Sequence, residues 1–305
     1  MTLRFGLFGA GYWAAATHAP ALSVAPDAEL VGIWSRDREK AEALATVHGV
    51  RAFADADRLI AEVDAVSFAL APDAQAALAV RAAQAGRHLL LEKPLALSDA
   101  DAAAVASAVS AANVASVVFF TNRFAPGGRQ AVEEAAGVGG WDGGRATVMF
   151  SIFGPGSPYA RSAWRRAKGG LWDLGPHVLS LFTPVLGPVD EVSAMEGPQR
   201  SMYVSLRHAG GMVSTMALGL DAPPAANGLE IALVGSKGVV NLPVELGSAV
   251  PAMAAAISEL VQVATATEPS HPCDVAYGRQ ITNVLAAAEA SAASGRVVRC
   301  RPELS

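Results

Sequence analysis

Arg4-Phe5-Gly6-Leu7-Phe8-Gly9-Ala10-Gly11-Tyr12-Trp13-Ala14 opens the chain with a short apolar run that ends in a glycine turn. This is the G-x-G-x-x-G/A pattern. Gly9 permits the tight turn, Gly11 removes the Cβ that would block a pyrophosphate, and Ala14 is small enough for helix and strand to pack closely. Amides at the start of the following helix then face the phosphates, helped by the helix dipole. Tyr12 and Trp13, inside the turn, join Gly9 and Gly11 as expected cofactor contacts. In a chain rich in Ala and Gly the pattern alone is weak. Its meaning comes from the strand before it and the helix after it.

Outward from the turn, apolar runs alternate with alanine-rich helical stretches as far as residue 121. The strands read as Arg4–Phe8, Glu29–Ser35, Ala65–Leu70, His88–Leu91 and Val114–Phe120. The helices read as Tyr12–Ser23, Asp37–His48, Asp73–Ala85 and Asp99–Ala112. Asp73 and Asp99 are the expected N-caps, and Gly49 and Gly86 sit where helices should stop. Strands alternating with helices predict a doubly wound parallel sheet, a Rossmann domain over residues 1–121 that binds a nicotinamide dinucleotide.

The second strand ends at Ser35-Arg36, where an acidic residue would accept hydrogen bonds from the ribose hydroxyls of NAD. A hydroxyl and a guanidinium suit a 2′-phosphate instead, with Arg38 and Lys40 nearby. The expected cofactor is therefore NADP in preference to NAD.

Beyond Phe124 the texture changes. A glycine-rich patch, Gly137–Gly144, precedes strands at Arg145–Phe153, Met202–Arg207, Met212–Leu218 and Glu230–Val234. His208-Ala209-Gly210-Gly211 and Gly235-Ser236-Lys237-Gly238 read as hairpin turns. Helices at Ala252–Thr265 and Asp274–Ala293 come before an extended piece at Arg296–Arg301. Residues 122–305 are thus expected to form an α+β domain with a largely antiparallel open sheet, its C-terminal helix and tail packing back on the first domain. The whole is an α/β protein.

The 305 residues carry a net charge of −5, which gives no general attraction to nucleic acid or anionic membrane. Ala102–Phe120 lacks charged side chains over a membrane-spanning length, but a helix to Ala112, a turn and a buried strand account for it better. Nothing in the first residues suggests export, and two cysteines, Cys273 and Cys300, fit the expectation of a reducing cytoplasm. No metal-type cluster of ligands is apparent.

Two segments are placed for chemistry. The apolar strand at His88–Leu91 delivers Glu92-Lys93-Pro94 at its carboxyl end, where open α/β sheets bind ligands. A lysine there can contact a substrate hydroxyl, and Pro94 restricts the segment and is compatible with a cis bond. Farther on, Gly169-Gly170-Leu171-Trp172-Asp173-Leu174-Gly175-Pro176-His177 sets a carboxylate and an imidazole four residues apart, on one face of a helix. Such a carboxylate orients the ring as a general base for an alcohol. Pro176 demands either a helix starting near Gly175 or an earlier, kinked one.

Together these segments resemble the Gfo/Idh/MocA oxidoreductases. The resemblance runs through the glycine turn, Ala71-Pro72-Asp73, Glu92-Lys93-Pro94, Asn122-Arg123-Phe124-Ala125-Pro126, Trp164-Arg165, Gly169–His177, Val234–Gly238 and Ser294–Val298. It implies that Lys93 lies beside the nicotinamide and the reacting carbinol, that His177 is the general acid/base, and that Asp173 assists it. It implies cofactor contacts from Ala71, Pro72, Glu92 and Lys93, and, more loosely, a substrate pocket lined by Arg123, Trp164 and Arg165. It also implies a small polyol or sugar-like substrate and a homodimer or homotetramer built through the C-terminal sheet. Gln75 departs from the histidine found in many members, and the chain is short after Gly238.

The reading is an oxidoreductase that moves hydride between a nicotinamide and a secondary alcohol or ketone. A non-catalytic dinucleotide-binding regulator and an NAD-dependent glycosidase on the same scaffold remain alternatives. His18, His48, His88, His208 and His271 read as structural.

Overall fold

The computed structural model describes residues 2–244 and 246–300. The chain divides into two compact units, Met1–Ala125 with Leu246–Arg279, and Pro126–Glu245 with Gln280–Ser305.

In the first unit six parallel strands follow the order β3-β2-β1-β4-β5-β6. They are β1 (Leu3–Phe8), β2 (Ala28–Trp34), β3 (Arg51–Phe53), β4 (Ala65–Phe68), β5 (His88–Glu92) and β6 (Ser116–Phe119). That is the doubly wound Rossmann order, and it puts the carboxyl ends of β1 and β4 beside the point where the strand order reverses. Phe5, Leu7, Phe8, Val66, Phe68, Leu89, Leu90 and Leu91 are fully buried, as expected of strands covered on both faces. Each such side chain contributes about 1.5–3 kcal/mol of burial.

The helices between them are α1 (Ala19–Val24), α2 (Arg38–His48), α3 (Ala56–Ala61), α4 (Pro72–Gln84), α5 (Asp99–Ala112) and the short α6 (Thr121–Phe124). Two caps differ from expectation. Ala71 is the N-cap of α4, because Pro72 is comfortable at the first helical position and shifts the start by one residue. Ser98 caps α5 through the Asp101 amide. Asp73 and Asp99 instead sit in the first turns, where they still favour the dipole. Gly49 ends α2 in the left-handed conformation as predicted. The sequence reading overlooked β3 and α3, which are only three and six residues long.

The second unit begins with α7 (Pro126–Val138) and β7 (Trp141–Met149), so the glycine-rich patch is largely helix end and strand, not loop. Next come α8 (Ala163–Leu186), β8 (Val189–Glu196), β9 (Met202–His208), β10 (Val213–Gly219), β11 (Gly228–Gly235) and β12 (Gly238–Asn241). Their sheet runs β12-β11-β7-β10-β9-β8-β13, with β13 at Val298–Arg299. It is mostly antiparallel, with both predicted hairpins present. The central pair β7–β10 is parallel, the chain between them running through α8, β8 and β9, so the sheet is mixed. β9 alternates buried and exposed residues along its length, the pattern of a sheet covered on one face only. α8 packs on the covered face against β7, β9 and β10.

The chain then returns to the first unit, where α9 (Val250–Ala264) packs against α1, α6, β5 and β6. Helix α10 (Val275–Ser294) carries the boundary between the units. The expected extended piece at Arg296–Arg301 contains β13, and Arg301 itself lies outside the described residues. Among the described residues no helix is long and apolar enough to cross a membrane.

Candidate active site

At the end of β1, Gly9 adopts φ +122°, a conformation that side chains resist, and a Cβ there would collide with the Ala69 carbonyl oxygen. Its amide donates to the Trp34 carbonyl at 2.8 Å, which ties the turn to the end of β2. A Cβ at Gly11 would meet nothing within 4 Å. The turn is therefore tight on its inner side and open on its outer side, where Tyr12 is exposed. That geometry fits a pyrophosphate laid against the glycine backbone and the helix start.

Ser35 follows β2, and its hydroxyl accepts the Asp37 amide at 3.2 Å. Asp37 caps α2 through the Lys40 amide and pairs with Lys40 Nζ at 2.6 Å. The Lys40 hydrogen bonds hold the Asp37 carboxyl below the usual carboxylate range. Arg38 is bound to Glu42 at 2.7 Å. Of the three cations grouped here by sequence, two are neutralised by their own helix. Arg36 is exposed and makes no ion pair among the described residues. Ala71 and Pro72 stand where α4 begins, just beyond β4.

Strand β5 delivers Glu92-Lys93-Pro94 with a cis Lys93–Pro94 bond. Gln75, fully buried on α4, clamps this segment. Its Oε1 accepts the Glu92 amide at 2.8 Å, and its Nε2 donates to the carbonyls of Glu92 at 2.7 Å and Leu95 at 3.2 Å. The departure at this position thus serves the backbone that carries Lys93.

The Glu92 carboxylate turns inward. Its Oε1 accepts from Trp13 Nε1 at 2.6 Å and from His18 Nε2 at 3.1 Å, and its Oε2 accepts the Lys93 amide at 3.3 Å. With Nε2 donating, His18 Nδ1 faces the Ser67 hydroxyl at 2.8 Å. His18 and Ser67 are fully buried. The sequence reading placed His18 in a helix and gave it no partner, because Ser67 and Glu92 approach it only through the fold.

In the second unit α8 breaks at Gly169 (φ 66°, ψ −164°), and the helix that follows runs through Pro176. Of the two starts left open by the proline, the earlier one is realised, and the break falls at the glycine. Asp173 and His177 lie one turn apart on this helix. Asp173 is buried, and its Oδ2 accepts from Arg165 Nε at 2.8 Å. The Arg165 guanidinium lies over the rings of Tyr159 (4.5 Å) and Trp164 (4.4 Å). Arg165 is therefore built into the Asp173 environment, and Trp164 is part of its cradle. Arg123 belongs to the first unit, on α6.

The remaining histidines have local duties. His208 Nδ1 donates to the Gly187 carbonyl at 2.7 Å and its Nε2 accepts from the Ser214 hydroxyl at 2.8 Å. His271 bridges Glu259 and the Cys273 amide and stacks on Phe124. Among the described residues neither cysteine is in a disulfide, and burial pushes the Cys300 thiol up to about 12.

Residues 3–120 match the family model described as an oxidoreductase family with an NAD-binding Rossmann fold, and residues 142–241 match the GFO/IDH/MocA C-terminal domain. The chain belongs to the Gfo/Idh/MocA oxidoreductase family. Among the relatives, the inositol 2-dehydrogenase of Rhizobium meliloti is 38% identical over 128 residues, 41% of this chain and 38% of that protein. The D-apiose dehydrogenase of Paraburkholderia graminis is 28% identical over 224 residues, 69% of this chain and 58% of that protein. The matched stretches thus span between about four and six tenths of these curated relatives. The structure of GenD2 from gentamicin A biosynthesis, in complex with NAD, shares the family fold with a TM-score of 0.85. It is 23% identical, with 99% of this chain and 97% of that one covered.

Proposed function

We propose that this Gfo/Idh/MocA member is a dehydrogenase or reductase that moves hydride between a nicotinamide and the carbon of a secondary alcohol or ketone. Its substrate is a sugar, a cyclitol or a related small molecule, and NADP is preferred to NAD. The observation that carries the reading is the common edge of the first sheet. The open glycine turn after β1 and the clamped Glu92-Lys93-Pro94 after β5 both lie at strand carboxyl ends. The named activities of the inositol and apiose relatives support the substrate class.

The dinucleotide supplies the hydride acceptor or donor. The protein's own work is positioning and proton handling. Gly9, Gly11, Tyr12 and Trp13 would cradle the pyrophosphate, with further cofactor contacts from Ala71, Pro72, Glu92 and Lys93. Arg36, with Ser35 beside it, grips a 2′-phosphate by a planar fork. Lys93 donates a hydrogen bond to the reacting oxygen, where charge develops. His177, oriented by Asp173, takes the hydroxyl proton in oxidation and returns it in reduction.

The open face of the second sheet exposes Met195, Tyr203 and Val213, and Met195 and Tyr203 are cross-strand partners. This face suits a homodimer or homotetramer contact. Cys273 and Cys300, outside any disulfide among the described residues, suit a reducing cytoplasm.

The deciding experiment is a screen for NADP and NAD reduction with inositols, aldoses and their derivatives. Turnover abolished by Lys93→Ala supports the proposal. Tight dinucleotide binding with no turnover across the panel points to a regulator. Release of nitrophenol from chromogenic glycosides without net NADH points to a glycosidase.

A further inference from the structure

Trp13 and His18 are five residues apart, yet both donate to the same oxygen of Glu92. On an α-helix five residues turn through about 500°, which leaves the two side chains roughly 140° apart and on different faces. Here residues Ala14–His18 form a π-helical turn. Its i→i+5 bonding stacks residue 18 over residue 13 and brings both to one side. Such turns are rare and occur often at functional sites. This one joins the end of the glycine turn, through Trp13, to the carboxylate next to Lys93. His18 extends the connection to Ser67 on β4, at the centre of the sheet.

The proton roles are fixed by the partners. A carboxylate only accepts, so Trp13 Nε1 and His18 Nε2 both donate to Glu92 Oε1, and Oε2 is left to the Lys93 amide. Gln75 also holds this segment, through the Glu92 amide and carbonyl. The backbone entering Lys93 is thus suspended between a rigid clamp on α4 and a link that begins in the phosphate-binding turn.

We propose that Trp13, His18 and Glu92 are positioning residues that couple occupancy of the dinucleotide turn to the backbone of Lys93. None of the three touches substrate in this role. Pyrophosphate contact fixes Tyr12-Trp13, the indole N–H fixes Glu92 Oε1, and Oε2 orders the Lys93 amide. The π turn is what makes the link possible, because a regular helix would turn His18 away from Glu92. The inference rests on the dinucleotide reading above.

The test uses fragments that fill the turn without reaching Lys93. ADP and 2′-phospho-ADP carry the pyrophosphate and lack both the nicotinamide and its ribose, so any change they cause at Lys93 must travel through the protein. Hydrogen exchange of the segment 88–98 is measured with and without each fragment, and affinity is measured by calorimetry. In the wild-type chain the bound fragment slows exchange of this segment severalfold. In His18→Asn the fragment still binds, within about fivefold of wild type, but the slowing is lost; in Trp13→Phe, whose side chain belongs to the cradle, it is lost even when the fragment is raised to saturation. Slowing that persists in both variants, or its absence in a wild-type chain saturated with fragment, overturns the coupling. A wild-type chain that binds neither fragment nor NAD nor NADP overturns the dinucleotide reading itself, and the coupling with it. Should Trp13→Phe fold poorly, Glu92→Gln replaces it. It keeps an acceptor for both donors but sets an amide N–H₂ against the Lys93 N–H, so the slowing is again expected to vanish.

Discussion

Arg165 reaches across the break at Gly169 to hold Asp173, its Nε donating to Oδ2 at 2.8 Å while its guanidinium plane lies on Tyr159 and Trp164. The ion pair is mostly shielded, with side-chain exposures of 20% and 9%. Its geometry matters more than a surface pair's would. A lysine keeps the charge but loses both the fixed fork and the stacking. Arg165→Lys is expected to lower kcat about tenfold or more, the worth of one charge-assisted hydrogen bond, with dinucleotide affinity unchanged. Steady-state kinetics on the best substrate, with calorimetry of NADP binding, checks this. Wild-type kcat in Arg165→Lys would mean that Asp173 needs no such support.

Lys93 and His177 carry the sharpest prediction. Lys93→Ala and His177→Ala are expected to lose turnover by roughly two to four orders of magnitude, the range of a lost general acid/base or charge-stabilising donor. Both should retain cofactor binding. Asp173→Asn should fall between them and wild type. Near-wild-type rates in both alanine variants would remove these residues from the chemistry.

What the sequence disclosed follows from how local each signal is. The glycine turn, β5 and its Glu92-Lys93-Pro94 end, and Asp173 with His177 are contiguous patterns, so their placement at strand ends and on one helix is read directly, while their roles come from the family resemblance and are proposed. The Rossmann strands are legible too, because doubly buried strands are plain apolar runs. β8 is not, because its half-exposed Val189–Glu196 mixes charged and small residues. The parallel pairing of β7 with β10 is set by a crossover, not by either strand, and strand composition does not record direction. The π turn left no mark either, since Ala14-Ala15-Ala16-Thr17-His18 reads as ordinary helix. The partners of His18 and Gln75 are separated from them in sequence by 49, 74 and 17 residues, beyond any spacing rule.

The proposed preference for NADP rests on Arg36. Lys40 and Arg38 are already bound to Asp37 and Glu42, which leaves Arg36 as the cation to meet a 2′-phosphate. Arg36→Ala is expected to cut kcat/KM with NADP by about tenfold or more and to leave NAD nearly unaffected, because a bidentate phosphate contact is lost. Ser35→Asp should go further and favour NAD, since a carboxylate there accepts from ribose hydroxyls and repels the phosphate. The check is the ratio of the two efficiencies in each variant. A wild-type enzyme that clearly favours NAD would refute the role given to Arg36.

His208 gives the fold a pH dependence of known sign. Burial is the largest influence and lowers its pKa, while the Gly187 carbonyl and Asp190 pull weakly the other way. The folded pKa therefore lies below the unfolded value of about 6.5. Above that value both states hold neutral imidazole and pH has no effect through this group. As pH falls below about 6.5 the unfolded chain takes up a proton that the folded chain resists, so stability declines toward the folded pKa. His88, lowered chiefly by burial as well, adds to the same decline. Urea unfolding of the wild-type protein should show a loss between pH 7 and pH 5.5. His208→Gln should be less stable at pH 7, by about 1–2 kcal/mol for the lost hydrogen bonds to Gly187 and Ser214. Its decline over the same interval should be shallower, because one of the two imidazoles whose pKa burial lowers no longer titrates. An unchanged slope in His208→Gln would show that His208 is not what links stability to pH in this range.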